Sequence, residues 1–406
     1  MNKKIFLLLG GNKLNFGILK KFNRLGFLVF VVDWNEFPSL TGDRHYRIDV
    51  KDYKSIISEL KKDGVWDRVF FAYSSIDLAV RSVAQINREL GLKTINDDGL
   101  AYSSSKSMMT KRWNELGLLN RISNSYTDFS EEIISLNASR NIIVKPDNSA
   151  SSRGITIINK QSSEDIIKNA FKKACEEASD NIVVVEEFIE GTEFTVEMIG
   201  DAFGNVSVYA ISRKTHTKNT VNNRIAVKLH YNAISDELQN RIAEFGIQCY
   251  KALHFSSSLG HLEVLMKADG TICPVEIGAR SSGFIASDLV DIASGANFLC
   301  DLIKVQNGER VESGLHKQSQ QSSMYFFYDL PVGKRIIREC NLLDFCEKSV
   351  KSRYFDRENL KEGNVFQLID NDNARLGYEI LEGPKSIMTR CYIDEAELKM
   401  LKNMFG

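Results

Sequence analysis

Between His261 and Arg280 the chain carries two glutamates and an arginine inside apolar alternation: Leu262 and Val264 flank Glu263, and Val275 and Ile277 flank Glu276. The turn letters Ala268-Asp269-Gly270 predict a hairpin. Residues whose numbers sum to about 539 would then face each other, which sets Glu263 opposite Glu276 on one face. Carboxylates side by side repel unless a cation lies between them. A hard cation such as Mg2+ takes oxygen ligands and shares them with substrate phosphates, and Arg280, just beyond the strand, could grip a phosphate oxygen bidentately. The pattern therefore reads as the metal and phosphate end of a nucleotide site; a solvated hairpin face with ordinary surface charges is the alternative. His261-x-Glu263 also sets two metal-ligand types on one strand face, but the Cys or His partners of a zinc site are missing.

Other residues would serve the same chemistry. Lys145 ends an apolar strand just before "DNSASSRG" (147–154). A lysine there meets phosphate as a point charge while loop amides and the hydroxyls of Ser151 and Ser152 cradle it, with Gly154 at the loop's end. No Gly-Lys-Ser/Thr follows, so this is not a Walker A loop; a plain polar hairpin loop is the alternative. Glu186-Glu187-Phe188-Ile189 closes a buried strand whose backbone groups could read an adenine, and Glu193 could accept ribose hydroxyls, although charged strand termini are common. An incoming carboxylate needs a cationic partner. Arg280, Arg224 and His230 are candidates, as are the strand ends near Gly10–Asn12 and Ser74–Ser75. The polar segment "THTKNTVNN" (215–223) reads either as a substrate loop or as a plain turn.

The elements that must position these groups fall into distinct regions. Over residues 1–100, strands at Lys4–Leu9, Phe27–Asp33 and Arg68–Tyr73 alternate with helices at Leu14–Leu25, Asp52–Lys62 and Ile76–Leu90, which predicts βαβ units and a parallel sheet. Such sheets bind ligands at the carboxyl ends of their strands. Gly10-Gly11 and Asp33 sit at those ends, but the segment lacks the Gly-x-Gly-x-x-Gly of a dinucleotide fold. A helix follows at Lys106–Gly117. From about residue 140 the pattern turns antiparallel, with strands at Asn141–Lys145, Ile155–Ile158, Asn181–Phe188, Phe194–Ile199 and Val206–Ser212. A helix at Ser235–Leu253 precedes the hairpin, and helices at Ile285–Ala293 and Phe298–Val305 follow it. Past about Gln318 come short strands, Ser323–Tyr328 and Val365–Ile369 among them, and a final helix near Glu395–Asn403, which predicts a small α+β lobe.

A chain of 406 residues holds two or three domains. The formal net charge of −1 excludes a nucleic-acid protein that relies on a broad basic surface. No apolar run reaches the ~20 residues of a bilayer span, so no membrane partner is expected. The short apolar start is followed by Lys13 without a small-residue cleavage site and reads as a strand rather than a signal peptide. Seven scattered cysteines with no Cys-x-x-Cys pair fit a reducing cytoplasm.

Taken in order, Lys106, Lys145, the serine-rich loop, Glu186–Glu193, Lys214, Glu263, Glu276 and Arg280 resemble the ATP-grasp superfamily. The stretches "KSMMTKRWNELG", "IIVKPDNSASSRGI", "VVVEEFIEGTEFTVE" and "HLEVLMKADGTICPVEIGAR" carry the likeness across about residues 106–300. The N-terminal βαβ region looks like that family's preceding domain. The nearest flavour is that of the carboxylate–amine ligases, including the amino-acid (dipeptide) ligases, where "ISRKTHT", His230 and "EIGARSSGF" have counterparts. The resemblance implies a Rossmann-like domain over 1–100. It implies ATP-grasp lobes over 101–310 that clasp ATP, with a lid at about 140–190, and a C-terminal α+β lobe over 311–406 that completes the module.

It also implies roles. Lys106 and Lys145 would contact phosphates, and the loop Ser149–Gly154 would fold over them. Glu186, Glu187, Phe188 and Ile189 would bind adenine through the backbone, and Glu193 the ribose. Lys214 would approach the γ-phosphate. Glu263 and Glu276 would hold Mg2+, with Mn2+ as an alternative, and Arg280 would steady the transferred phosphoryl group. Arg224, His230, Ser281 and Ser282 are substrate candidates. The implied reaction joins a carboxylate to an amine through an acyl phosphate; a carboxylase-like or nucleotide-biosynthetic enzyme, or a non-catalytic ATP binder, is the alternative. A homodimer is common in the family. Two departures stand out: Gly278 occupies the place of a usual metal-ligating Asn, and the loop has one glycine where many members have several.

Overall fold

A computed structural model describes residues 3–149, 153–217, 219, 225–283, 286–356, 360–369, 375 and 377–406. Ser151, Ser152, Arg224 and most of the 215–223 segment lie outside the described residues.

The N-terminal unit is a parallel sheet in the order β3-β2-β1-β4, with β1 Ile5–Leu9, β2 Leu28–Asp33, β3 Arg44–Arg47 and β4 Val69–Tyr73. Every residue of β1 is buried, because helices cover both faces. Phe6 and Leu8 pack with Ile18 and Phe22 of α1 (Phe16–Arg24), whereas Ile5, Leu7 and Leu9 pack with Ile56 and Leu60 of α2 (Tyr53–Lys62). The helix expected from Ile76 begins as a 3-10 turn at Asp77–Ala79 and continues as α3, Val80–Glu89. The edge strand β3 and the helix α4 (Asp97–Ser104) were not expected; α5 (Lys106–Glu115) was.

A second sheet is antiparallel, in the order β5-β8-β6-β7: β5 Ser123–Tyr126, β6 Ile142–Pro146, β7 Thr156–Ile158 and β8 Val183–Glu187. Helices α6 (Glu131–Ser139) and α7 (Glu164–Glu177) cover it, with Ile133, Ile167 and Phe171 packed on Val144, Val183 and Val185.

The third sheet has nine strands among the described residues. Its main path runs β13-β12-β9-β10-β11-β15-β17-β16, and β14 (Gly314–Leu315) pairs with β10. The central strands are β9 Thr192–Gly200, β10 Val206–His216, β11 Ala226–Tyr231, β12 Ser258–Met266 and β13 Ile272–Gly278. Helix α8 (Asp236–Ala252) buries one face of β9, β12 and β13 through Ile242 and Tyr250 against Val196, Met198, Leu262 and Ile277. On the other face α9 (Ala286–Ser294) packs against β10, β11 and β15, and α10 (Phe298–Gln306) follows. The C-terminal strands β15 (Gln321–Phe327), β16 (Lys351–Asp356) and β17 (Tyr378–Pro384) extend this sheet rather than forming one of their own, and α11 (Arg390–Phe405) closes the chain. Val365–Ile369 does not form a named strand: its start pairs with residues 333–336 through the bridge Arg335↔Val365, with Gly333 N–H donating to Phe366 O at 2.9 Å and Phe366 N–H to Lys334 O at 3.2 Å, a pairing too short to make a ladder. No helix of the described residues is long and apolar enough to cross a membrane.

Candidate functional site

Strand alternation builds the site. In the register of β9, β12 and β13, Glu263 faces both Thr195 and Glu276, and Leu265 faces Glu193. Glu193, Thr195, Glu197, His261, Glu263 and Glu276 therefore share one sheet face. The expected sum of 539 holds from His261 to Glu263 and then slips by one at a bulge between Glu263 and Val264. Such bulges re-aim side chains beside functional sites. On β10, Lys214 points to the same face. Its Nζ lies 2.5 Å from Glu193 Oε1 and 2.9 Å from Glu263 Oε1. His216, two residues on, sets Nε2 2.9 Å from the other Glu193 oxygen.

Three further cations arrive from outside this sheet. Lys106 opens α5 and reaches Glu276 Oε2 at 3.2 Å while donating to the Ser149 carbonyl at 2.9 Å. Helix α5 is anchored there because Asp147, just past β6, accepts from the Ser107 N–H at 2.5 Å. Lys145, on β6, lies 2.5 Å from Glu186 Oε2, and Arg121 holds the other oxygen at 3.0 Å. All three side chains are almost fully buried.

Burial alone would raise these carboxyls, but the adjacent cations overcome it. Lys214 holds Glu263 down at about 2, and Lys214 with His216 holds Glu193 well below the carboxylate range. Arg121 and Lys145 do the same for Glu186, at about 2. Burial depresses Lys145, with Glu186 opposing. Lys214 and Lys106 are raised, since their carboxylates outweigh burial. The face thus presents ionised carboxylates and ammonium groups in contact.

The segment Glu186–Ile189, expected to read an adenine, lies where β8 leaves its sheet. Glu187 N–H donates to Ile122 O and Phe188 N–H to Asn141 O, both at 2.9 Å, and Glu187 also pairs with Arg140 at 3.3 Å. Ile189 N–H is engaged by no other described residue. Gly154 adopts φ +72°, and a Cβ there would lie 3.0 Å from Glu177 Cβ. That fits the single loop glycine to a turn other residues enter at a cost.

Arg280 follows β13 and faces the N-terminal unit. Its Nε and one terminal nitrogen donate to Asp77 at 2.5 and 2.8 Å, and the other terminal nitrogen donates to Ser281 O at 2.9 Å. Ser281 and Ser282 are buried, and the Ser281 hydroxyl bonds that of Tyr73. His230 is not brought to the acidic face: Leu229 is the residue that pairs with Lys214, so His230 turns to the other side with Arg213. There its Nε2 meets Ser322 Oγ at 2.9 Å. At the N-terminal strand ends Asp33 accepts from Gly11 N–H at 2.7 Å and from Asn35, so that carboxylate serves its own loop.

Four contributors were missed from sequence. His216 shares a strand face with Lys214 and was legible from period two. Arg121 and Asp77 lie on elements joined to the site only by folding, and no local pattern marks them; Asp147 opens the loop 147–154, but its bond to the Ser107 N–H joins elements 40 residues apart in sequence.

Among the described residues no three or more His, Cys, Asp or Glu groups converge to hold a metal ion. Glu263 and Glu276 face each other as an all-oxygen, ionised pair that could hold one. Two carboxylates suit Mg2+, which keeps waters and takes phosphate oxygens for the rest of its shell.

Comparison with known proteins bears on the family likeness and the fold. The family profile of the ATP-grasp domain matches residues 138–288. D-alanine–D-alanine ligase of Cupriavidus taiwanensis is 26% identical over 248 residues, 59% of this chain and 73% of that one. The namesake from Buchnera aphidicola is 28% identical over 217 residues, 49% of this chain and 63% of that one. Among solved structures, L-amino acid ligase from Bacillus licheniformis superposes with a TM-score of 0.72 at 16% identity, covering 100% of this chain and 98% of that one. Phosphoribosylglycinamide synthetase from Anaerococcus prevotii gives 0.67 at 16% identity, with 99% of each chain covered. These structural likenesses speak for the fold.

Proposed function

Since the chain carries an ATP-grasp domain and folds as an ATP-grasp protein, we propose that it is an ATP-dependent carboxylate–amine ligase. It joins an amino acid or related small acid to an amine and releases ADP and phosphate. The observation that carries this reading is the register-fixed pair Glu263 and Glu276 with Lys214 and Lys106 against them. The D-alanine–D-alanine ligase relatives support amino acids as the substrate class.

In the proposed reaction a substrate carboxylate oxygen attacks the γ-phosphorus of ATP. The bond from that phosphorus to the β–γ bridging oxygen breaks, and ADP leaves. An amine then attacks the acyl carbon of the acyl phosphate, phosphate departs, and the amine loses a proton. The protein's share is positioning and charge neutralisation. Lys145 and Lys106 meet phosphate oxygens, and the Ile189 N–H is available to the adenine. Glu193, already ionised, accepts from the ribose hydroxyls, and Lys214 neutralises charge near the γ-phosphate. Arg280 steadies the transferring group. Glu263 and Glu276 would hold Mg2+, which when bound supplies further neutralisation of the phosphate oxygens. The Ser149 carbonyl accepts from Lys106, and the reaction requires that water be kept from the acyl phosphate.

The test is ADP and phosphate release from Mg-ATP against amino acids offered singly and in pairs. ADP formed only with particular pairs is the expected result. AMP and pyrophosphate would mean adenylation and would sink the acyl-phosphate scheme.

A further inference from the structure

We propose that Asp77 of the N-terminal unit is the positioning residue for Arg280, and that Gly278 is small in order to admit it. The proposal rests on the reading of Arg280 as the group that steadies the transferring phosphoryl. Asp77 stands four residues past β4, in the turn that opens α3. Its carboxylate grips the guanidinium edge-on through both oxygens, at 2.5 and 2.8 Å. A fork-to-fork pair of this kind fixes direction as well as distance. With Ser281 O, three of the five guanidinium N–H groups are committed, and two remain for an incoming oxyanion. The Arg280 side chain is only 14% exposed, so its aim is set by these contacts and not by solvent.

Gly278 supplies the second observation. It faces His261 across the hairpin, on the same sheet face as Glu276. A Cβ at 278 would lie 3.2 Å from Arg280 Cγ and 3.3 Å from Asp77 Oδ1. The room where many ATP-grasp proteins carry an asparagine is thus occupied by the Asp77–Arg280 pair. The same contact ties the N-terminal unit to the strand that bears Glu276, so docking of that unit and aim of the arginine are one event.

The test measures ADP affinity by calorimetry in Mg2+, with and without aluminium fluoride as a mimic of the transferring phosphoryl group. The wild-type protein should bind ADP more tightly with the mimic. Asp77→Asn should bind ADP alone as the wild type does yet lose at least about tenfold of the tightening, and kcat for ADP release should fall by about 100-fold with little change in KM for ATP. Asp77→Glu should recover part of both, and Gly278→Ala should share the defect. In the Arg280→Lys background, Asp77→Asn should cost nothing further, because Asp77 acts through Arg280. Full tightening in Asp77→Asn would overturn the proposal. So would stronger tightening, which would make the pair a latch that competes with phosphate, or additive losses in the double variant. A wild-type protein that binds no ADP would instead bring down the nucleotide reading itself. One that binds ADP but ignores the mimic would remove the role of Arg280. Should Asp77→Asn melt well below the wild type, the comparison rests on Asp77→Glu, whose longer stem keeps the charge and shifts the aim.

Discussion

Glu276 shows how one side chain carries several obligations. It faces Glu263 across the hairpin and meets Lys106 from another element. Burial raises its carboxyl, yet Lys106 brings it net below the ordinary value, against the like charge of Glu263. Changing Glu276→Gln keeps shape and removes the charge. ADP release should then fall by at least about 100-fold, the scale seen when one preorganised electrostatic partner is lost. Near-normal turnover would refute the metal-holding assignment. The sequence placed this residue well because alternation and a hairpin turn fix a face and a partner together.

At the scale of elements, β11 gives the clearest case. Its neighbours β10 and β15 put Lys214 and His230 on opposite faces, so a one-residue offset separates a residue of the acidic face from one buried on the other side. Burial, then the charge of Lys228, lowers the His230 imidazole to about 4, with Asp394 opposing. The folded state therefore prefers the neutral ring. Its contribution is fully present above the unfolded value near 6.5 and is lost as pH falls from there toward about 4, worth about 3 kcal/mol in all. Urea unfolding at stepped pH should show that loss, and His230→Gln should flatten it; an unchanged pH slope in the variant would contradict the assignment. The charged end of β10, Arg213 to His216, and the polar stretch after it hide β11 from sequence reasoning. Charges that face a site read as the end of a strand rather than its middle.

The whole molecule brings three sheets to one place. The second sheet delivers Lys145 and the Ile189 edge, the nine-stranded sheet delivers Glu193, Lys214, Glu263 and Glu276, and the N-terminal unit delivers Asp77, which grips Arg280. A nucleotide held between the second and third sheets would bind the folded chain alone. Mg-ATP at about 100 times its Kd should add about 2.7 kcal/mol of stability, visible as a raised Tm that chelation of Mg2+ reverses. A Tm indifferent to Mg-ATP would count against the nucleotide site. The same scale explains the C-terminal quarter: β15, β17 and β16 continue the large sheet, which strand-by-strand reading renders as a small lobe because strand order is a long-range property.

By itself the sequence determined the parallel N-terminal sheet, the antiparallel middle and the facing of Glu263 with Glu276. Each of these follows from periods of two or 3.6 residues and from turn letters, which act over short spans of chain. The ordered series from Lys106 to Arg280 added the family likeness. The tertiary structure alone decided that Arg121 and Lys145 flank Glu186, that Asp147 anchors α5, that His230 turns away, and that Asp77 fills the space beside Gly278. Those choices are made where elements far apart in sequence meet, and there burial and charge, which no local pattern records, select the partner.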